Sequence, residues 1–320
     1  DVGPRDIVWT APNTFVASAN CARYCGADVD FVDIDPATLN MSTERLAEKL
    51  TIAERAGRLP KVVIPVHFSG RSADMAGIGA LRQRYGFKVI EDASHAIGGR
   101  HQDRPVGDCA HSDIAVFSFH PVKIVTSGEG GMATTNDTAL ATRMARLRSH
   151  GVTRVAEDMP LPSDGPWHYQ MIELGLNYRL TDIQATLGLA QMRRLDAFVE
   201  RRNQLAEAYG PLLQDLPLIL PAPTGDAHSA WHLYVIQVDE TRTDHRRLEV
   251  FERLRAAGLG VNVHYIPVHT QPYYRALGFK PGDFPASEAY YARAITIPLF
   301  AAMTDAQQIE VAEKLREALA

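Results

Sequence analysis

Cysteine is scarce in this chain. Three residues in 320, Cys21, Cys25 and Cys109, are too few for a disulfide framework and fit a reducing compartment, so a cytoplasmic location is expected. Cys21 and Cys25, four apart on an expected helix, read as buried thiols rather than as a metal pair, and the stretch VNVHYIPVH, with His264 and His269, offers no third zinc ligand at sensible spacing. No apolar run approaches the roughly 18 residues that a membrane span needs, and no signal peptide is visible. Long Lys/Arg runs are missing too. With 33 basic against 38 acidic residues and a formal charge of −5, nothing here suits a nucleic-acid surface. Two phosphate motifs are absent: the Walker pattern GxxxxGK followed by Ser or Thr, and a GxGxxG after an early strand. The chain also opens without Met, on DVGPRDIVWTAPNTFVASAN, which reads as the end of a loop running straight into a strand. A preceding N-terminal segment is therefore expected.

What is present is an ordinary globular composition, 46% hydrophobic and 22% charged, long enough for two domains. Strand patterns at 7–10, 28–34, 61–67 and 88–92 alternate with helical patterns at 14–24, 42–58 and 74–85, with Thr14 and Ser42 as expected caps. That alternation predicts βαβ units and a mostly parallel sheet. A further strand is expected after Gly131 and a helix over 137–149. A Pro- and Gly-rich stretch, 151–176, is expected to be a functional loop or a subunit contact. One long helix is expected over 181–209 as a connector. From Trp231 the order changes to a strand (WHLYVIQV), a helix over 244–257, a strand over 260–265, a helix over 286–293, the strand 294–297 and a final helix from Thr304. The expected architecture is an α/β large domain, residues 1–208 and incomplete at its N-terminus, followed by a smaller α+β domain, 209–320.

The chain is organised around 89–131. Val89-Ile90 leads into Glu91-Asp92, and Ile114–Phe117 leads into Ser118, with Lys123 and the turn SGEGG beyond. Ligands of open α/β sheets bind outside the carboxyl ends of strands, so Asp92, Ser118 and Lys123 are expected at one crevice. An acid, a hydroxyl and a lone lysine suggest a Schiff-base cofactor, because a desolvated lysine loses its charge and becomes a nucleophilic amine. Pyridoxal phosphate needs a carboxylate against its pyridine nitrogen, a role open to Asp92. Each residue has a plainer alternative. Lys123 can be a surface lysine, Asp92 a helix cap or salt-bridge partner, Ser118 a strand-end serine and His95 a satisfied structural histidine. Phe15 can stack on a flat ring or fill a core. His264, Tyr265 and His269 can contact substrate or form a polar network within the core.

At EDASHA and FSFHPVK…SGEGG, and again at LGLNYRLTDIQATLGL and VNVHYIPVHTQPYY, the sequence resembles the DegT/DnrJ/EryC1/StrS family of sugar aminotransferases, through essentially the whole chain. The resemblance implies the fold type I architecture of pyridoxal phosphate (PLP) enzymes. It implies Lys123 as the lysine that bonds the cofactor, Asp92 as partner of the pyridine nitrogen and Ser118 as a phosphate ligand. It also implies His95 near the ring hydroxyl, Phe15 beside the ring, and Asn177 reaching the phosphate in a neighbouring subunit, hence a homodimer with shared sites. Arg179, next to Asn177, is a candidate for a substrate carboxylate or phosphate. SFHPVK, RSHGVTR and NVHYIPVH look most like members that aminate C4 of UDP-4-keto-6-deoxy-N-acetyl-altrosamine with L-glutamate, releasing 2-oxoglutarate, in pseudaminic acid biosynthesis. Lys123 argues against the family's dehydratases, which carry His there. The rivals are amination of another nucleotide-linked sugar at C3 or C4, and a cofactor-free truncated product, since nothing matches the family's SNGTxAL-type phosphate turn.

Overall fold

Residues 1–225 and 227–320 are described by the computed structural model, in which a six-stranded sheet carries the first half of the chain. Its strands are β1 (Ile7–Thr10), β2 (Asp28–Phe31), β3 (Val62–Ile64), β4 (Lys88–Asp92), β5 (Ile114–Ser118) and β6 (Gly131–Thr134). They lie in the order β2-β1-β3-β4-β5-β6, parallel except for β6, which returns antiparallel to β5. From β1 the chain goes out to β2 and then crosses to the other side with β3. The connections at the carboxyl ends of β1 and β3 therefore diverge and open a crevice.

The first helices are α1 (Ala17–Tyr24), α2 (Thr43–Arg55) and α3 (Met75–Tyr85). Ser42 caps α2 by accepting from the Arg45 N–H, and Asp74 caps α3 by accepting from Gly77 N–H. Thr14 does not cap α1, which begins after Val16 without a side-chain cap. Cys21 and Cys25 on and after that helix are exposed, not buried as expected. Trp9, Leu46, Leu50, Val63, Ile78 and Val89 form the core between one sheet face and α2–α3. Residues 28–34 were expected as one strand; regular pairing stops at Phe31, and only an isolated bridge, Ile34 to Met41, continues it.

Beyond α4 (Thr138–Leu147), the expected single helix over 181–209 is two, α5 (Asp182–Met192) and α6 (Leu195–Leu213). Arg194 leaves helical geometry between them, at φ −109° and ψ 3°. After the bend Leu195 and Val199 lie against Gly98, where an added Cβ would fall 2.7 Å from Val199.

The second half builds a three-stranded antiparallel sheet from β7 (Leu218–Ile219), β8 (Tyr234–Val238) and β9 (Ala294–Ile297), in that order. It is covered by α6, α7 (Arg247–Ala256) and α9 (Asp305–Ala318), while α8 (Pro285–Arg293) leads into β9. β8 reads as a continuous apolar run because both of its faces are buried. Tyr234, Ile236 and Val238 enter the core with Leu213, Leu254 and Leu315, whereas Leu233 and Val235 enter the core of the large sheet. The strand expected at 260–265 does not form. It is reduced to a single bridge, Asn262 to Thr296, and the backbone then turns away towards β1. Among the described residues, no helix is long and apolar enough to cross a membrane.

Candidate active site

The crevice at the carboxyl end of β1 is built from APNTF. Pro12 accepts a backbone hydrogen bond from Val268, and the buried Asn13 accepts from the Tyr265 N–H at 3.4 Å while donating to the Leu39 carbonyl. These contacts pull 264–268, more than two hundred residues away in sequence, over the end of the sheet. Phe15 then sits exposed with its ring 6.1 Å from that of Tyr265. The Thr14 hydroxyl, not needed as a cap, lies 3.0 Å from Ser18 on α1.

At the end of β4 the Asp92 carboxylate is held on both oxygens. Oδ2 accepts from the Ser18 hydroxyl at 2.5 Å and Oδ1 from the Ser94 N–H at 3.1 Å. Its backbone is fixed as well, with N–H on Pro65 and carbonyl on the His67 N–H. Beneath it the neighbouring Glu91 points the other way, into a closed network with His67 at 2.7 Å and the Ser112 hydroxyl. His67 Nδ1 accepts from the Ala73 N–H, so Nε2 carries the proton and donates to Glu91. Burial pushes the Glu91 carboxyl up, but the hydrogen bonds from His67 and the Ser112 hydroxyl outweigh it and hold the group below its usual range.

His95 lies in the turn after Asp92. Its Nε2 is 3.0 Å from the Tyr265 hydroxyl, and its ring is 4.5 Å from that of His232. Both imidazoles are buried, and among the described residues the Nδ1 atom of each has no hydrogen-bond partner. Burial first pushes both well below the usual histidine range, reinforced for His95 by the proximity of His232 and Lys123 and for His232 by that of Lys123 and Arg202. His264 is lowered to about 4 by burial and by Lys123, and its Nδ1 sits 2.8 Å from the Thr296 hydroxyl. Tyr265 is raised by burial and by the charge of Asp92. This side of the crevice is therefore neutral imidazole and phenol at physiological pH.

Lys123 closes the site from β5. Residues 119–127 fold back as a tight turn, with Lys123 N–H on His120, Ser127 N–H on Phe119, and Ile124 and Val125 buried beside Phe117 and Phe119. The turn anchors the lysine at the edge of the core. Burial lowers its amine from 10.5 to about 8, against the opposing pull of Asp92. Ser118 Oγ accepts from the His120 N–H at 3.3 Å. The glycines of SGEGG serve the hairpin into β6: a Cβ on Gly131 would fall 2.7 Å from the Phe117 carbonyl, and one on Gly130 would strike the Ser127 hydroxyl.

The fold thus gathers Asp92, His95, Lys123, Phe15, His264 and Tyr265 around one crevice, with Ser118 at its β5 end. His269 is a correction. Its side chain is fully buried between Phe31 and Phe284, with Nε2 at 2.9 Å from Glu288, which suits a polar core network and leaves no surface for a substrate. Asn177 and Arg179 are exposed on the segment that follows the Ser149–Asn177 bridge, and their side chains make no hydrogen bond with this group. Sequence reading missed Ser18, Asn13, His232 and Thr296. The four-residue spacing of Thr14 and Ser18 was a usable signal, because it puts both hydroxyls on one side of the turn entering α1. His232 gave none: it stands two residues before β8, a strand of the other half.

These residues fit PLP. A buried amine titrating near 8 is part neutral at physiological pH. A carboxylate with both oxygens held suits a pyridinium, and an exposed phenyl ring beside Tyr265 suits a flat cofactor. The profile described as the DegT/DnrJ/EryC1/StrS aminotransferase family matches residues 1–316. The chain is 39% identical over 319 residues, 99% of its length and 80% of the relative, to the spore coat polysaccharide biosynthesis protein SpsC of Bacillus subtilis (strain 168). It is similar in structure to Helicobacter pylori PseC, an aminotransferase involved in the biosynthesis of pseudoaminic acid, with TM-score 0.88 and 27% identity over 99% of this chain and 80% of that one. The PLP form of the putative sugar aminotransferase Spr1654 from Streptococcus pneumoniae matches with TM-score 0.85 and 27% identity, over 100% and 83% of the two chains.

Proposed function

This chain belongs to the DegT/DnrJ/EryC1/StrS aminotransferase family, whose chemistry depends on PLP, and from that premise we propose that it moves an amino group from L-glutamate to C4 of a UDP-linked 4-keto-6-deoxy sugar. UDP-4-keto-6-deoxy-N-acetyl-altrosamine, the substrate of pseudaminic acid biosynthesis, is the sugar we assign. The resemblance of SFHPVK, RSHGVTR and NVHYIPVH and the likeness to PseC favour it. The observation that carries the chemistry is the lysine at the end of β5, its amine lowered to about 8 by burial beside Asp92.

Bound PLP supplies an aldehyde that condenses with amines and a protonated ring that draws electrons from the adjacent C–H bond. The chain supplies everything else. Lys123 would hold the cofactor through its neutral amine. Released from it, the same amine would move protons, from the α-carbon of glutamate in one half and to C4 of the sugar in the other. Asp92 keeps the ring nitrogen protonated. His95 and Tyr265 present a neutral hydrogen-bonded pair, so they add no charge that would compete with Asp92. Phe15 covers the ring, Ser118 takes the phosphate, and His264 and Tyr265 face the substrate. Across the two halves the amino group passes from glutamate to the sugar, one water is consumed as 2-oxoglutarate is released, and one water is released as the sugar ketone condenses with the amine.

We infer a homodimer in which Asn177 reaches the phosphate of the neighbouring site and Arg179 meets substrate. Trp167, Leu174, Tyr178 and Ile183 are exposed around these two residues, an apolar surface that a second copy would cover. Three free cysteines support the cytoplasm as the location. We place the boundary between the two units near 208/209, inside α6, where residues from Leu205 onward join the second core. The test is conversion of UDP-4-keto and UDP-3-keto sugars by purified protein with PLP and L-glutamate, followed as 2-oxoglutarate and as the aminated sugar. A 4-amino product from the altrosamine ketone is expected. Turnover of a 3-keto sugar alone would overturn the regiochemistry, and no turnover of any ketone would overturn the sugar class.

A further inference from the structure

Ser18 is placed where a helical serine does not usually point. Buried serines within helices commonly donate to the carbonyl four residues back. Here the hydroxyl instead reaches across to Oδ2 of Asp92, at 2.5 Å and 74 residues away in sequence. Its other neighbour is the Thr14 hydroxyl at 3.0 Å, and both Ser18 and Thr14 are buried, so water does not substitute for either contact. The direction of the chain follows from valence. An ionised carboxylate only accepts, so Ser18 spends its single proton on Asp92 and its oxygen then accepts from Thr14. The Ser94 N–H holds the second carboxylate oxygen at 3.1 Å, which stops the group from rotating.

We propose that Ser18, with Thr14 behind it, is a positioning residue that fixes the Asp92 carboxylate in the orientation that faces the cofactor's ring nitrogen, so that the proton on that nitrogen is held by an aligned hydrogen bond. This rests on the reading that Asp92 faces that nitrogen. Without the Ser18 hydroxyl the carboxylate is held at one oxygen only and can turn about its Cβ–Cγ bond, so the ring nitrogen loses an aligned, charge-assisted acceptor. Nothing else on α1 reaches the carboxylate, so the role falls on this one side chain.

The experiment loads the full chain with PLP labelled with nitrogen-15 in the ring and records the ring-nitrogen resonance, together with the affinity of the apoprotein for PLP. In Ser18→Ala the resonance is expected to move towards the unprotonated position and the affinity to fall about tenfold, the size of a lost hydrogen bond to a charged group. Ser18→Thr is expected to restore both. Alanine is the better helix former, so α1 is retained. Should Ser18→Ala nonetheless fail to fold, Thr14→Val carries the test with a smaller shift in the same direction. Asp92→Asn separates the two levels of argument. If it moves the resonance and the Ser18 and Thr14 variants do not, the positioning role is overturned and the Asp92 reading stands. If Asp92→Asn also leaves the resonance in place, both fall.

Discussion

The amine of Lys123 gives a quantitative test. An ordinary lysine titrating at 10.5 is about one part in a thousand neutral at pH 7.5, whereas one titrating near 8 is about one quarter neutral, roughly two hundred times more. The difference in free energy between the two settings is on the order of 3 kcal/mol. Only the neutral amine attacks an aldehyde, so the rate at which the apoprotein captures PLP should follow this titration. Stopped-flow absorbance from about pH 6 to about pH 10 is expected to show a rate that rises tenfold per unit and levels off just above 8. In Asp92→Asn the carboxylate that pulls the amine upward is gone, so the midpoint should move below its wild-type position even as PLP binding weakens. The same shift has a signed effect on stability. Between 8 and 10.5 the unfolded chain binds this proton and the folded chain does not, so the contribution of Lys123 to stability rises with pH across that window. Lys123→Met should therefore be more stable than wild type by about 1 to 3 kcal/mol at neutral pH, with the gap closing towards 10.5. A capture rate with its midpoint near 10.5, or a Lys123→Met no more stable than the parent at pH 7, would refute the desolvated amine and with it the central observation of the site.

Other outcomes follow from other residues. Phe15→Ala should weaken PLP binding by about tenfold while changing the melting temperature of the apoprotein little, since the ring is 59% exposed and only the cofactor would bury it. Equal loss in both would make Phe15 a core residue. Glu91→Gln weakens the buried hydrogen bonds with His67 and Ser112 and should cost about 1 to 3 kcal/mol in urea unfolding. Because the folded-state Glu91 carboxyl lies below its usual range, the wild-type advantage should be present above the ordinary glutamate pKa and fade as the pH falls through the folded-state value. If sites are shared, Lys123→Ala and Asn177→Ala chains, each inactive alone, should recover activity when co-expressed, because one of the two sites in the mixed dimer is intact. Absence of recovery in a verified mixed dimer would remove Asn177 from the site.

The sequence by itself determined the parallel sheet, because apolar runs alternating with capped helices leave few other ways to bury the strands. It also determined the strand ends at Asp92 and Ser118, where apolar residues give way to polar ones, and the placement of Lys123 beyond them. The four-residue spacing of Thr14 and Ser18 was there to be read, but a threonine before a helix looks like a cap until its hydroxyl is seen to have another partner. Tertiary structure decided what no local pattern encodes. The bend at Arg194 accompanies the packing of Leu195 and Val199 on Gly98, a contact between distant segments. The segment expected as a strand at 260–265 is drawn off by Asn13 and Pro12, which carries Tyr265 to His95 while leaving His269 in a different core. His232 reaches His95 only because β8 has both faces buried and so must lie between the two halves of the molecule. Local pattern fixes which face of an element is apolar; which distant side chain meets it is settled only by packing the whole chain at once.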